Sequence, residues 1–504
     1  MSAANRWLVL AIISSALFLI VIDMTVLYTA LPRLTHDLGA TATEKLWIVN
    51  AYPLVVAGLL PGLGTLGDRL GHKQMFLAGL CVFGLASVVA AFSPAPSMLI
   101  FARVLLAIGA AMMMPATLSL IRLTFTDEKE RAFAIGIWAA VASGGAALGP
   151  VVGGVLLEWF WWGSVFLINV PVVVLALIAG SILLKRRPGN PDSPWDLAGS
   201  VQVMVGLVGL VFAIKELAKR EPDLLALALS AGIGALAMWI FLRRQLRATR
   251  PLIDFSLFRN ARFSAGVVTA LTASAALIGF ELVFSQRLQL VDGLSPLEAG
   301  LLILPIPLAS FLSGPLTGLA LPRLGASKVL WGSLLLSGFA LAAYLALHQG
   351  PAWAWLAALT LMGFGIGAAM TGASVAIMLS APEERAGMAA SVEEVSYELG
   401  GALGVALLGS LMSALYTRGL VLPEGISIAN EARDSLDEAL ILAASLPERE
   451  ADQVVTLARA AFEQAFTGVT LAAILALILA GLVIRHKTRD HAAAEKGEEI
   501  RPHA

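Results

Sequence analysis

The chain has little with which to carry out chemistry on a soluble substrate. One cysteine, Cys81, stands among 504 residues, so neither a disulfide framework nor a thiolate metal site can be assembled. Charged residues make up only 14% of the composition and the formal net charge is -1, which leaves no basic face for nucleic acid. Zinc-ligand spacing, a nucleotide-binding glycine loop and a nucleophile triad are all missing, and the 47 glycines are dispersed along apolar runs. An enzyme is therefore not expected, nor is a metal or a resident cofactor. What the chain does have is apolar surface, with 58% hydrophobic residues and a mean hydropathy of +0.84. These values imply an all-α, polytopic membrane protein, because lipid leaves every backbone polar group to be satisfied inside a helix.

A bilayer core about 30 Å thick needs about 20 apolar residues per helix, and runs of that length recur from Trp7 to Ile484. The first, about Trp7 to Leu31, is longer than a signal peptide's apolar core and ends in Leu31-Pro32-Arg33, so it reads as a retained span. Fourteen runs lie between charge clusters, starting near residues 7, 46, 75, 97, 131, 164, 198, 223, 263, 296, 328, 353, 386 and 465. An even count puts both termini on one side. Assigning that side to the cytoplasm collects most Lys and Arg there, notably Lys185-Arg186-Arg187 and the tail after Arg485. The segment from Lys215 to Asp223, with charges of both signs, is the local exception.

One internal echo bears on architecture. GTLGDRLG, Gly64 to Gly71, falls between spans 2 and 3 and returns as GLALPRLG, Gly318 to Gly325, between spans 10 and 11. Two six-helix halves follow, residues 7-184 and 263-485, with an inserted pair at 198-243 and a tail at 486-504. Repeated halves suggest alternating access. In the first turn the glycines permit a tight reversal, and Asp68 is placed to stabilise a neighbouring helix N-terminus or to pair with a basic residue.

The pattern Gly64, Leu66, Asp68, Arg69, Gly71, Lys73 resembles the loop signature of the major facilitator superfamily. GGAALGPVVGG, with Gly145, Gly149, Pro150, Gly153 and Gly154, is similar to the span 5 motif of facilitator antiporters. Its small residues allow close helix approach and its proline a bend. IDMTVLYTALP, Ile22 to Pro32, looks like the span 1 element of the fourteen-helix drug:proton antiporters. Within that family the chain most resembles the SmvA-like exporters of methyl viologen and quaternary ammonium compounds. The resemblance implies the facilitator fold, proton-driven multidrug efflux and a multi-pass location in a bacterial inner membrane. Two departures stand out. The usual R-x-x-Q-G-x-G of span 4 keeps Arg103 but has Leu106 and Ala107 for Gln and Gly, and Pro322 replaces the acid of the second turn. Only the first turn is expected to act as an acid-dependent latch.

Charges within a bilayer cost at least about 2.5 kcal/mol each, so each calls for a reason. Asp23 and Arg103 both lie roughly 10 Å below the outer surface at 1.5 Å per residue. The family fold brings spans 1 and 4 together, which implies an ion pair, either a static lock or a pair that a proton disrupts. Glu281 lies in the outer half of span 9, where Phe280 and Phe284 could stack on a flat cation; snorkelling to the interface is its alternative. Span 13 carries SVEEVSYELGG, with Glu393 and Glu394 roughly 12 Å and Glu398 roughly 18 Å from its cytoplasmic start. Glu394 and Glu398 share a helix face, and Glu393 is turned by about 100°. Three ionised acids so close are not expected, and at least one carboxyl should exchange its proton against an arriving cation. The alternative is that some of them pair with nearby polar groups.

Trp47, Tyr52, Trp138, Tyr397 and Met113 in the Met112-Met113-Met114 run are candidates for the cavity wall, together with Phe280. The Trp159-Phe160-Trp161-Trp162 cluster fits an interfacial belt better. The acid-rich segment 417-463 reads as an extracytoplasmic helical hairpin broken at Pro447, positioned either to attract cations at the exit or as solvated decoration. The expected function is export of lipophilic mono- and divalent cations in exchange for protons by a monomer in lipid, with small cationic molecules and protons as its partners. The alternatives are a facilitator for another metabolite, or a receptor or scaffold that binds without turnover.

Overall fold

The structure, a computed structural model, describes residues 3–40, 42–192, 195–217, 222–248, 251, 253–422 and 435–499. The side chains at 3, 4, 28, 32, 42, 43, 46, 150, 197, 215, 296, 297 and 489–499 lie outside the described residues. Helices make up the regular structure of the described residues, as backbone burial in lipid requires. In the first half these are α1 (Ala3–Asp37), α2 (Ala42–Leu70), α3 (His72–Ala91), α4 (Pro96–Thr124), α5 (Glu128–Trp159), the short α6 (Ser164–Leu167) and α7 (Asn169–Leu183). The inserted pair is α8 (Leu197–Leu217) and α9 (Leu224–Arg247). Then come α10 (Ala261–Gln286), α11 (Pro296–Ile303), α12 (Pro305–Leu324), α13 (Ala326–Leu347), α14 (Ala352–Ser380), α15 (Ala386–Gly419), α16 (Leu436–Ala443) and α17 (Glu448–Glu499).

Among the described residues thirteen spans are long and apolar enough to cross a membrane, and the apolar stretch Ala198–Ile214 of α8 is a shorter fourteenth. Expected span 6 is broken at Ile168 into α6 and α7, and span 10 at Leu304 into α11 and α12, where Pro305 cannot donate to the helix ladder. In the segment after Thr417 a helix lies on each side of Pro447 and the two pack together, with the second continuing beyond the expected hairpin. Residues 423–434 lie outside the described residues, α16 precedes Pro447, and the second expected helix is no separate element but the start of α17, which runs on into the last span.

Two cores form. One fills α1–α7, and the other is built from α10–α17 around Phe280, Phe284, Tyr344 and Phe466. The first core does not stop at the boundary between the halves. It continues into Val375, Met378, Ala386, Ala389 and Val392 at the ends of α14 and α15 nearest the Asp68 turn. The halves are thus packed together at the end of the molecule where the two echoing turns lie. Beyond that end α5 runs along α12 and α2 along α15, while α8 packs on both α2 and α15.

Both echoing turns close on a left-handed glycine, Gly71 at φ 101° and Gly325 at φ 81°. A side chain there would be strained, which is why the repeat keeps these glycines while its acid varies.

Candidate functional site

Between the two halves lies a cavity of about 690 Å³. Its walls come from α1 (Val21, Met24), α2 (Tyr52, Pro53, Ala57), α4 (Arg103, Met114), α5 (Trp138, Ala142), α10 (Ile278, Glu281) and α15 (Glu394, Tyr397, Glu398). Three carboxyl groups, one guanidinium and three aromatic rings therefore face one largely apolar space, whose other polar side chains are Asn50, Ser143, Ser274 and Ser310. This combination suits a bulky apolar ligand carrying positive charge, because aromatic faces and carboxylates both attract cations.

The arginine is already engaged. Arg103 is 1% exposed and donates from Nη1 to Asp23 Oδ2 at 2.6 Å, while its Nε reaches the Ile48 carbonyl at 3.3 Å. Its guanidinium stacks over the Tyr52 ring at 4.5 Å from the centroid. The second oxygen of Asp23 accepts from Asn169 Nδ2 at 3.2 Å, and that amide also donates to Ser87 Oγ at 3.3 Å. Asp23 is therefore a fully buried carboxylate tied to α3, α4 and α7, set behind the cavity wall. Removing one partner from such a cluster would leave a charge without compensation.

The acids of α15 divide by helix face. Glu394 and Glu398 line the cavity, one turn apart. Glu394 is 5% exposed and its Oε1 is buried without a hydrogen-bond partner. Glu393 points away from the cavity toward α14, where the Ser374 hydroxyl donates to its Oε1 and its Oε2 has no partner. The Tyr397 hydroxyl, in the cavity wall, donates to the Met370 carbonyl at 3.2 Å. Glu281 faces the cavity as a half-buried side chain, so it does not snorkel to the interface.

Several candidates take other places. Phe280 is fully buried, stacked on Phe284 at 5.3 Å and packed edge-on to Tyr344, so the C-terminal core holds it rather than the cavity. Trp47 is 45% exposed and stacks on Phe212 of α8 at 6.4 Å, outside the cavity wall. Met113 is fully buried against Gly79 of α3, and its neighbour Met114 is the methionine of the run that lines the cavity. Tyr52, Trp138 and Tyr397 do line it, and Trp138 is oriented by its Nε1 donating to Thr117 Oγ1 at 3.1 Å. Sequence reasoning passed over Asn169, although an amide inside the apolar LINVPVVV run was a visible signal, and Ser374, a small polar residue with no distinguishing pattern.

At the Asp68 end the halves are bonded to one another. Asp68 accepts from the backbone N–H of Gly387 at 2.8 Å and of Met388 at 3.1 Å, the second and third residues of α15. Its carboxylate also pairs with His72 at 3.3 Å. Arg122 Nη2 donates to the Ala381 carbonyl at the end of α14, and Arg187 pairs with Glu383 at 2.9 Å. Arg69 is exposed, and its backbone lies under Gly189 of the linker between the halves. A Cβ on Gly64 would overlap the Gly387 carbonyl, so close approach here requires glycine. On α5, Gly145 packs on Val21, Gly149 on Thr25 and Gly153 on Val26, all of α1, whereas Gly154 faces open space. The side chain of Pro150, the remaining member of that motif, lies outside the described residues.

The description "Major Facilitator Superfamily" fits residues 13–291 by family model. The chain is 44% identical over 465 residues to the methyl viologen resistance protein SmvA of Salmonella typhimurium, spanning 91% of this chain and 93% of that one. It is 38% identical to the multidrug efflux pump LfrA of Mycolicibacterium smegmatis, over 95% of this chain and 96% of that one. It is also 32% identical to the tetracenomycin C resistance and export protein of Streptomyces glaucescens, over 97% and 94%. Among solved structures it superposes on the human organic anion transporter MFSD10 with a TM-score of 0.61, over 94% of this chain and 99% of that one. Sequence identity there is 14%, so that likeness speaks for the fold alone. Fold, matching model and relatives agree: the chain belongs to the Major Facilitator Superfamily, as a multi-pass transporter of its drug-efflux family and not an enzyme.

Proposed function

We propose that this protein exports lipophilic mono- and divalent cations, such as quaternary ammonium compounds, viologens and cationic dyes, in exchange for protons across a bacterial inner membrane. The observation that carries the reading is the cavity itself, where Glu281, Glu394 and Glu398 share one largely apolar space with Tyr52, Trp138 and Tyr397. For Glu394, whose Oε1 is buried without a hydrogen-bond partner, a bare anion is costly. It is relieved either by a proton or by a cation, and the two compete for one place. Entry of a cation then favours proton release, and proton uptake favours cation release. Methyl viologen, the compound named for SmvA, is a dication and supports a cationic substrate class.

Movement follows from the packing. With the Asp68 end and both termini in the cytoplasm, the bonds from Asp68, Arg122 and Arg187 close the inner side and the cavity belongs to an outward-facing state. Breaking those bonds while the opposite ends of the bundles approach one another would present the same cavity to the cytoplasm. The protein works as a monomer, driven by the proton gradient without a cofactor.

The test is purified protein in liposomes under an imposed pH gradient, with ethidium or methyl viologen flux followed together with lumenal pH. Gradient-driven flux with counter-movement of protons is expected, and binding without flux would reject the exchanger. Glu394→Gln should abolish cation-induced proton release in a protein that still folds. Undiminished release would move the coupling to Asp23 or another acid.

A further inference from the structure

The inserted pair α8 and α9 has no counterpart in a two-times-six repeat, and its contacts show what it contributes. Along α8, Ser200, Met204 and Val208 face α2. A Cβ built on Gly62 would lie 2.9 Å from Ser200 Cβ, and one on Gly58 would lie 2.8 Å from Met204 Cγ. Trp195, just before α8, donates from Nε1 to the Gly62 carbonyl at 3.1 Å. A second stripe, Val203 and Leu207, packs with Val395 and Leu399 of α15. α8 thus lies in the seam between a helix of each half. Where α2 and α15 meet directly, at Gly64 and Gly387, no third helix is needed. Further along, the cavity separates Tyr52, Pro53 and Ala57 from Glu394, Glu398 and Ala402, and there Val211 of α8 enters the wall. At 100° per residue Val211 falls between the two stripes, about 20° from the line that bisects the seam.

We infer that α8 is the side wall of the transport cavity, and that Val211 contacts the substrate and limits its size. The two seams differ in kind. Side chains of α8 sit in glycine notches of α2, whereas the face toward α15 is plain aliphatic surface. α8 is therefore carried with the first half and slides on the second, so that the wall stays shut toward lipid while the halves rock.

The experiment begins with Cys81→Ala protein in liposomes that exports ethidium. In that background Val211→Cys should react with a membrane-impermeant trimethylammonium thiosulfonate, and ethidium should slow the reaction. Val201→Cys, on the lipid-exposed face of the same helix, should not react. An unreactive Val211→Cys, or a reaction that ethidium leaves unchanged in an actively exporting protein, overturns the inference. Val211→Trp should lower ethidium efflux by about tenfold and leave the smaller methyl viologen within about twofold. Equal loss of both substrates, or of neither, also overturns it. The size comparison rests on the cation reading above, and a failure of that reading is distinguishable, because it would appear as absent ethidium efflux before Val211 is touched.

Discussion

The turns at Gly64–Gly71 and Gly318–Gly325 sit at matching places in the two halves, yet only the first has an acid, Asp68 against Pro322. Their backbones make the same approach. Gly64 abuts Gly387 of α15, and Gly318 abuts Ala132 and Phe133 of α5. What differs is how the facing helix obtains its N-terminal acceptor. α5 caps itself, with Asp127 accepting from Lys129 N at 3.0 Å and Glu130 N at 2.9 Å. α15, with Arg385 at its N-cap position, has no side-chain cap of its own, and Asp68 supplies one across the interface. Every helix start needs acceptors for its free N–H groups. A cap within one half survives when the halves separate, and a cap between halves is lost. The bond lost on opening is therefore concentrated on one side of the interface.

That contrast can be broken experimentally. The largest effect is expected from Asp68→Ala, which removes about 2 kcal/mol of charged capping and shifts the closed-to-open ratio by about 30-fold. Spin labels placed at Leu70 and Glu384 should then report longer distances, and efflux should collapse; an unchanged distance distribution would contradict the latch. Next come Gly64→Leu and Gly318→Leu. Because both turns share the close approach, each should wedge the halves apart and cut efflux severalfold, and a silent Gly318→Leu would show that only the capped side bears the contact. A smaller effect belongs to Asp127→Ala, which should lower thermal stability by about 1 kcal/mol. Pro322→Asp should restore part of that loss in the Asp127→Ala background and do nothing in the unsubstituted protein, as read by thermal unfolding. The smallest is Gly154→Ala, which meets no neighbour within 4 Å and should leave efflux unchanged, unlike Gly149→Ala, which drives a methyl into Thr25.

The spans were legible because lipid imposes a length and an apolar character on each crossing, and the acids were legible because a charge inside such a run stands out. The face that a side chain presents was harder to read. Helices apolar all round give no periodic contrast, so nothing in the Met112-Met113-Met114 run marks Met114 as the cavity residue. Nor does anything near Phe280 reveal that Phe284, Tyr344 and Phe466 gather around it. Trp47 was misplaced because its partner, Phe212, comes from the inserted pair, whose docking no repeat pattern encodes. Glu393 and Glu394 could be told apart, since a helix must turn adjacent residues to different faces. The partner of Glu393, Ser374, is on another helix and became visible only once α14 and α15 were packed together.

The last span also has a mechanical consequence. From Glu448 to Thr488 it is one unbroken helix of 41 residues, about 60 Å long against a hydrocarbon core of about 30 Å. Its first part packs with α16 and is fastened to the end of α10 by Glu463, which pairs with Arg287 at 2.8 Å. Its other end is held as well, where Lys487 donates to Ser264 Oγ of α10 at 2.9 Å and Arg485 stacks over the Trp331 ring of α13 at 5.1 Å. A rod fastened at both ends moves as one body with α10, so a displacement at Arg287 would be carried to Thr488, where a reporter would register it.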